Sequence, residues 1–142
     1  MGLGSALYDG ANVSSRKQKT ILVVEDEFVI RMCISDAFRD EGYHVVEAFN
    51  ADEAVDILRS GKLIDLVFSD VRMPGSIDGI GLLQFIKATF SAVPVIMASG
   101  HLEPSVAIAE GANDLLTKPY AVSAVLNLVN SHLNGSFSGS AI

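Results

Sequence analysis

Between Thr20 and Leu133, short apolar runs alternate with longer stretches in which apolar side chains return every three or four residues. The runs Ile21–Val24, Tyr43–Val46, Ile64–Phe68, Val95–Ala98 and Asp114–Thr117 place β-branched or other apolar side chains on successive positions, which predicts strands buried on both faces. Helical spacing is seen at Ile30, Cys33, Ile34, Ala37 and Phe38, and again at Ala54, Val55, Ile57 and Leu58, which predicts two helices with these residues as core stripes. Later helices are expected over roughly Ile80–Thr89, Pro104–Glu110 and Val122–Leu133. Asn50, followed three residues later by Glu53, is a capping box for the second helix, and Gly42 and Gly61 stand where helices should stop. Five strand-helix units predict an α/β domain in which right-handed crossovers set helices on both faces of a doubly wound parallel sheet. The functional crevice of such a sheet lies at the carboxyl ends of its strands.

The totals narrow the function classes. A chain of 142 residues with 49% hydrophobic content is one domain's worth. Residues 1–19 and 134–142 are rich in Gly, Ser or Asn without sustained period, and both read as flexible flanks of a folded segment over 20–133. The formal charge of -7 argues against a nucleic-acid binder, because phosphate contacts need a basic face. No apolar stretch approaches the ~20 residues of a spanning helix and the N-terminus lacks a secretory apolar run, so a soluble, cytoplasmic protein is expected. The single cysteine, Cys33, excludes an intrachain disulfide and a cysteine-based zinc cage, and its expected role is to fill space.

The strand ends carry the chemistry. The first strand runs into Glu25 and Asp26, and the third ends in Ser69 and Asp70. Three converging carboxylates repel one another and raise each other's proton affinity unless a cation sits among them, and an oxygen-only donor set points to Mg²⁺. The fourth strand ends in Ser99 and Gly100, and the fifth in Lys118 and Pro119. A carboxylate nucleophile, an acidic metal-holding pair, a hydroxyl and a lysine are the parts that stabilise a phosphoryl group in transfer. The bland alternatives are a solvated acidic turn at Glu25 and Asp26, a surface lysine at Lys118 and a strand-ending polar residue at Ser99. Gly75, Gly79 and Gly81 do not make a dinucleotide fingerprint, since Gln84 occupies the place of its third glycine.

Glu25-Asp26, Asp70 followed by Val71-Arg72-Met73-Pro74, Ser99 and Lys118-Pro119, in this order at successive strand ends, resemble the receiver domains of response regulators over Thr20–Leu133. The resemblance implies a flavodoxin-like sheet of strand order 2-1-3-4-5 with five helices. It implies that Asp70 is the phosphoacceptor, that Asp26, Asp70 and the Arg72 carbonyl contact Mg²⁺, and that Glu25 acts through water. Ser99 and Lys118 would hold phosphoryl oxygens, and the Lys118-Pro119 bond would be cis. The implied donor is a sensor histidine kinase or histidine phosphotransfer protein. Phe28 and Met32, off the core stripe of the first helix, would meet the donor's helical bundle.

Two features depart from the family pattern. The stretch Met73-Pro74-Gly75-Ser76-Ile77-Asp78-Gly79 is one residue longer than the commonest loop. Leu115 stands where an aromatic switch residue is usual, and Tyr120 does not replace it by position. Coupling is then expected to run from Ser99 through Gly100–Glu103, with Leu115 as passive packing. His101 and Arg72 flank the crevice and either tune water access or are ordinary loop residues. The expected function is a stand-alone phosphorylation relay whose output is contact with an unidentified downstream protein, a phosphoacceptor and not a conventional enzyme. The rivals are an Mg²⁺-dependent aspartyl-phosphate phosphatase, disfavoured because Arg72 stands where a second acid is usual, and a receiver-like module that is never phosphorylated.

Overall fold

A computed structural model describes residues 18–100 and 104–134. The element order is β1 (Thr20–Val24), α1 (Phe28–Asp40), β2 (His44–Ala48), α2 (Ala51–Arg59), β3 (Leu66–Asp70), α3 (Gly79–Thr89), β4 (Val95–Ser99), α4 (Pro104–Ala109), β5 (Asp114–Thr117) and α5 (Val122–Leu133). The five strands pair in parallel in the order β2-β1-β3-β4-β5, so the chain winds outward from β1 in both directions. Leu22, Val24, Val67, Val95 and Met97 face one side, where Leu58, Leu82, Ile86 and Ala107 of α2, α3 and α4 cover them. Ile21, Val23, Phe68 and Ile96 face the other, under Ile34 and Phe38 of α1 and Val125 and Val129 of α5. Side-chain alternation along each strand thus divides one apolar run between two half-cores.

Local signals set the helix ends. Asn50 Oδ1 accepts the Glu53 N–H at 2.8 Å as expected, whereas Glu53 reaches back to the Phe49 N–H, one residue before the cap. At the end of α1, Gly42 has φ +98°, while Gly42 N–H bonds Arg39 O and Tyr43 N–H bonds Phe38 O, at 3.0 and 3.1 Å. That paired closure needs a left-handed residue, which glycine adopts without strain. It also explains why β2 begins at His44 and not at Tyr43, whose amide is committed to the helix. β2 then runs past Val46 to Ala48. Leu66, not Ile64, opens β3, because the Asp65 carboxylate accepts the Thr20 N–H at 2.8 Å ahead of the ladder and Leu66 is the first residue paired, with Ile21. α4 stops at Ala109, one residue short of Glu110, as Ala112 N–H closes back onto Ala107 O around Gly111.

The first helix departs from its expected stripe. Ile34 and Phe38 are buried, but the third buried position is Ser35, and Cys33 is exposed. Cys33 therefore does not fill space in the core: it holds a position of the expected stripe but faces outward. The Ser35 hydroxyl is fully buried without a hydrogen-bond partner among the described residues. An unsatisfied buried polar group costs about 1–3 kcal/mol, so Ser35→Ala is expected to raise stability by about 1 kcal/mol in urea denaturation. A loss of that size would mean that the hydroxyl is bonded in solution.

Candidate functional site

Parallel register brings the strand-end residues together. Val24 pairs with Ser69, which sets Glu25 beside Asp70, while Asp70 pairs with Ala98 and so neighbours Ser99. Ser99 in turn pairs with Thr117, and Lys118 N–H bonds Ser99 O at 3.0 Å. Residues far apart in sequence therefore meet because consecutive strands end at one level.

Glu25 and Asp70 are 6% and 7% exposed, whereas Asp26 is exposed. Each of the three offers a carboxylate oxygen within 4.8 Å of the others. Hard oxygen donors in that arrangement could hold a divalent cation. Lys118 Nζ stands 3.0 Å from Asp70 Oδ1 and 4.0 Å from Glu25 Oε1. Asp70 Oδ1 also accepts the Val71 N–H at 3.0 Å, so two donors orient the carboxylate. Glu25 is turned by the Glu27 N–H, at 3.0 Å from its Oε2. Ser99 is buried at the end of β4, and Gly100 is exposed behind it.

Charge and burial act against each other here. Desolvation pushes the Glu25 carboxyl up to about 7, with Asp70 and Asp26 adding to the rise and the Glu27 amide and Lys118 opposing it. Burial draws the Lys118 ammonium down, but its bond to Asp70 and the charges of Asp70 and Glu25 outweigh that and raise it. Tyr120 is pushed up to about 12, first by burial and then by the same two carboxylates. Its ring meets Phe68 edge-on at 6.1 Å, on the α1–α5 side of the sheet. Leu115 pairs with Met97 and packs half-buried on the opposite side. The two residues are thus separated by the sheet itself. The Lys118-Pro119 peptide is cis.

Two residues that support the site were not singled out for it in the sequence. Arg31 donates to Glu25 O at 2.8 Å, pairs with Glu47 at 3.1 Å and lies 5.6 Å from the centre of the Phe28 ring, fixing the turn that carries Glu25 and Asp26. Gly79, noted only for a fingerprint it does not make, starts α3 against the backbone of the site, where an added Cβ would fall 2.2 Å from Asp70 O and 2.7 Å from Val71 Cα. Its N–H bonds Val71 O at 2.8 Å. Arginine spacing carries no mark of the first contact set, and a glycine needed for close approach looks like any loop glycine until the fold is known.

The remaining candidates lie around the rim. Arg72 is exposed on the loop after β3 and lines an open pocket with Val71, Met73, Pro74 and Asp78. Phe28 is 63% and Met32 40% exposed. Beside them, Val29, Ile30, Cys33, Pro119, Tyr120 and Val122 contribute to an apolar groove of about 470 Å³ that reaches Lys118. His101, Leu102 and Glu103 lie outside the described residues, as do the flanks 1–17 and 135–142. No described helix is long and apolar enough to cross a membrane.

Comparison with known proteins points one way. The family model described as response regulator receiver domain matches residues 21–130. The NtrX-like response regulator of Rickettsia felis is 41% identical over 107 residues, which are 72% of this chain and 22% of that protein. Chemotaxis protein CheY of Bacillus subtilis is 37% identical over 118 residues, 80% of this chain and 97% of that protein. The crystal structure of the NtrX receiver domain from Brucella abortus superposes with a TM-score of 0.74 at 35% identity, covering 80% of this chain and 98% of that one. The chain therefore spans nearly all of one relative and under a quarter of the other.

Two outcomes test the geometry. The raised Glu25 value means that the folded chain binds this proton more tightly than the unfolded chain. The cost to folding is complete above about pH 7 and fades as pH falls toward 4.5. The melting temperature of the metal-free protein should accordingly rise as pH is lowered through that window, and Glu25→Gln should flatten the rise; an unchanged profile in the variant would refute the assignment. Gly79→Ala should lose about 3 kcal/mol in urea denaturation, the upper range for an overpacked site, and a loss below about 1 kcal/mol would show that α3 can back away from Asp70.

Proposed function

Because this chain belongs to the response regulator receiver domain family, we propose that Asp70 accepts a phosphoryl group from a phosphohistidine, on a sensor histidine kinase or histidine phosphotransfer protein, in an Mg²⁺-dependent reaction in the cytoplasm. The observation that carries this reading is Lys118 Nζ at 3.0 Å from Asp70 Oδ1, within a ring of carboxylates that includes Glu25 and Asp26. Asp26 and Asp70 would hold Mg²⁺ with the Arg72 carbonyl, Glu25 through water, and the ion would supply charge neutralisation for the phosphoryl oxygens.

The chain's own residues do the rest. An Asp70 carboxylate oxygen attacks phosphorus as the bond to the histidine nitrogen breaks and its electron pair returns to a donor ring protonated on its other nitrogen, which leaves an acyl phosphate on Asp70 and a neutral histidine on the donor. Lys118, freed from its ion pair with the ionised carboxylate, holds a phosphoryl oxygen as a point charge. Ser99 offers its hydroxyl to another. Its carbonyl is tied to the Lys118 amide, so movement at one strand end is felt at the next. Leu115 acts as packing, and the change is passed through Gly100 and the segment that follows it. The donor's helices dock on α1 through Phe28, Met32 and the neighbouring apolar groove, and an unidentified downstream protein reads the phosphorylated surface. The chain is in this reading a phosphoacceptor and not a conventional enzyme.

Incubation with a small acyl-phosphate donor and Mg²⁺ should give a base-labile adduct on the wild type and none on Asp70→Asn, which keeps the volume and loses the nucleophile. Label retained by Asp70→Asn would end the assignment. Asp26→Ala should weaken Mg²⁺ binding by about 10–100-fold, as loss of a direct ligand does at minimum, and Glu25→Ala less. Turnover of external phosphoesters would favour a phosphatase, and absence of any adduct would favour a module that only binds.

A further inference from the structure

Asp52 lies in the first turn of α2, outside the acidic cluster, and its solvent-facing carboxylate is hydrogen-bonded by the loop that follows β3. Oδ2 accepts the Ser76 N–H at 2.9 Å and Oδ1 accepts the Ser76 hydroxyl. The Ile77 amide adds a third donor, and these bonds, the Ser76 hydroxyl foremost, hold the Asp52 carboxyl below its ordinary value. Gly75, just before them, has φ +125°, and a Cβ there would stand 2.7 Å from Asp52 Oδ2. Three consecutive loop residues thus meet one side chain from another helix, and the first of them adopts a positive φ that favours glycine.

The loop is fastened twice. Its base is closed by Gly79 N–H on Val71 O, and its crown by Asp52. Between the fastenings lie Arg72, Met73 and Pro74, which line an open pocket of about 540 Å³. A longer loop has more conformations to lose when one of its carbonyls must face a cation at fixed geometry, so a fastening at the crown lowers the cost of ordering it. Gly75 and Ser76 fall within the stretch that makes this loop long.

We propose that Asp52 is a positioning residue for the cation site: by clasping Gly75, Ser76 and Ile77 it holds the loop so that the Arg72 carbonyl is presented beside Asp26 and Asp70. This role rests on the reading of the site given above. Asp52 touches neither the ion nor the phosphoryl group and acts only through the loop, as residues behind a metal ligand do elsewhere.

The test is Mg²⁺ titration by calorimetry on the full chain, with amide hydrogen exchange as an independent readout. Asp52→Ala should bind Mg²⁺ roughly tenfold more weakly, at the lower end of what loss of such a supporting residue costs. The Ser76 and Ile77 amides should exchange faster in the same variant while the melting temperature stays close to wild type. Asp52→Asn removes the charge but keeps an oxygen for the Ser76 N–H, so it should stay within about twofold of wild type. At saturating Mg²⁺, Asp52→Ala should regain the wild-type rate of labelling on Asp70, since the nucleophile and Lys118 are untouched. Wild-type affinity in Asp52→Ala would overturn the proposal, as would an Asn variant as weak as the Ala variant, because charge and not the clasp would then be responsible. Should Asp52→Ala fail to fold, Ser76→Ala, on the exposed side of the same contact, must show the faster Ile77 exchange and weaker Mg²⁺ binding, or the role is wrong. A wild-type chain that binds no Mg²⁺ removes the reading of the site as well, whereas binding by wild type and Asp52→Ala alike removes only the role of Asp52.

Discussion

Three carboxylates share one end of the sheet, and their mutual repulsion is the constraint to which the surrounding structure responds. Two like charges about 4 Å apart repel by roughly 4 kcal/mol at an effective dielectric near 20. Lys118, 3.0 Å from Asp70, offsets about one such pair. Glu25 carries a raised proton affinity, first because it is buried and then because Asp70 stands beside it. In the proposed reading, a cation entering the site would displace the Glu25 proton, and a phosphoryl group beside it would meet a lysine already in place.

Holding the charges together requires rigid supports, and each has a separate physical basis. Parallel pairing fixes the strand ends to one level. Arg31 braces the turn after β1 from the helix side. Gly79 lets α3 start in contact with the backbone of Asp70 and Val71, which a methyl group would prevent. Asp52 closes the crown of the loop between them. None of these groups needs to touch the reacting atoms, but each limits how far a carboxylate or carbonyl can move.

The outer face of α1 follows a different logic. Phe28, Val29 and Met32 remain exposed because the sheet is already covered by Ile34 and Phe38. In the proposed reading, these exposed apolar side chains beside an apolar groove would place the means of recognising a donor next to the site it serves. Arg31 joins the two, since it lies over the Phe28 ring and also holds the Glu25 carbonyl.

The amino-acid sequence by itself determined the class of fold, the approximate place of all five strands, and the groups at their ends, because a strand buried on both faces must be an apolar run and the residue ending it reports directly what the crevice contains. Glu25, Asp26, Asp70, Ser99 and Lys118 were legible for that reason. Tertiary structure decided what periodicity cannot encode. Cys33 occupies a stripe position and is nonetheless exposed, while Ser35 is buried, because the rotation of α1 on the sheet is set by packing of Ile34 and Phe38. Leu115 takes its side from the register of β5, while Tyr120, beyond the end of that strand, is placed on the other side by its packing against Phe68. Arg31, Asp52 and Gly79 act through contacts with residues distant in sequence or through backbone approach, and such contacts leave no local pattern in the chain.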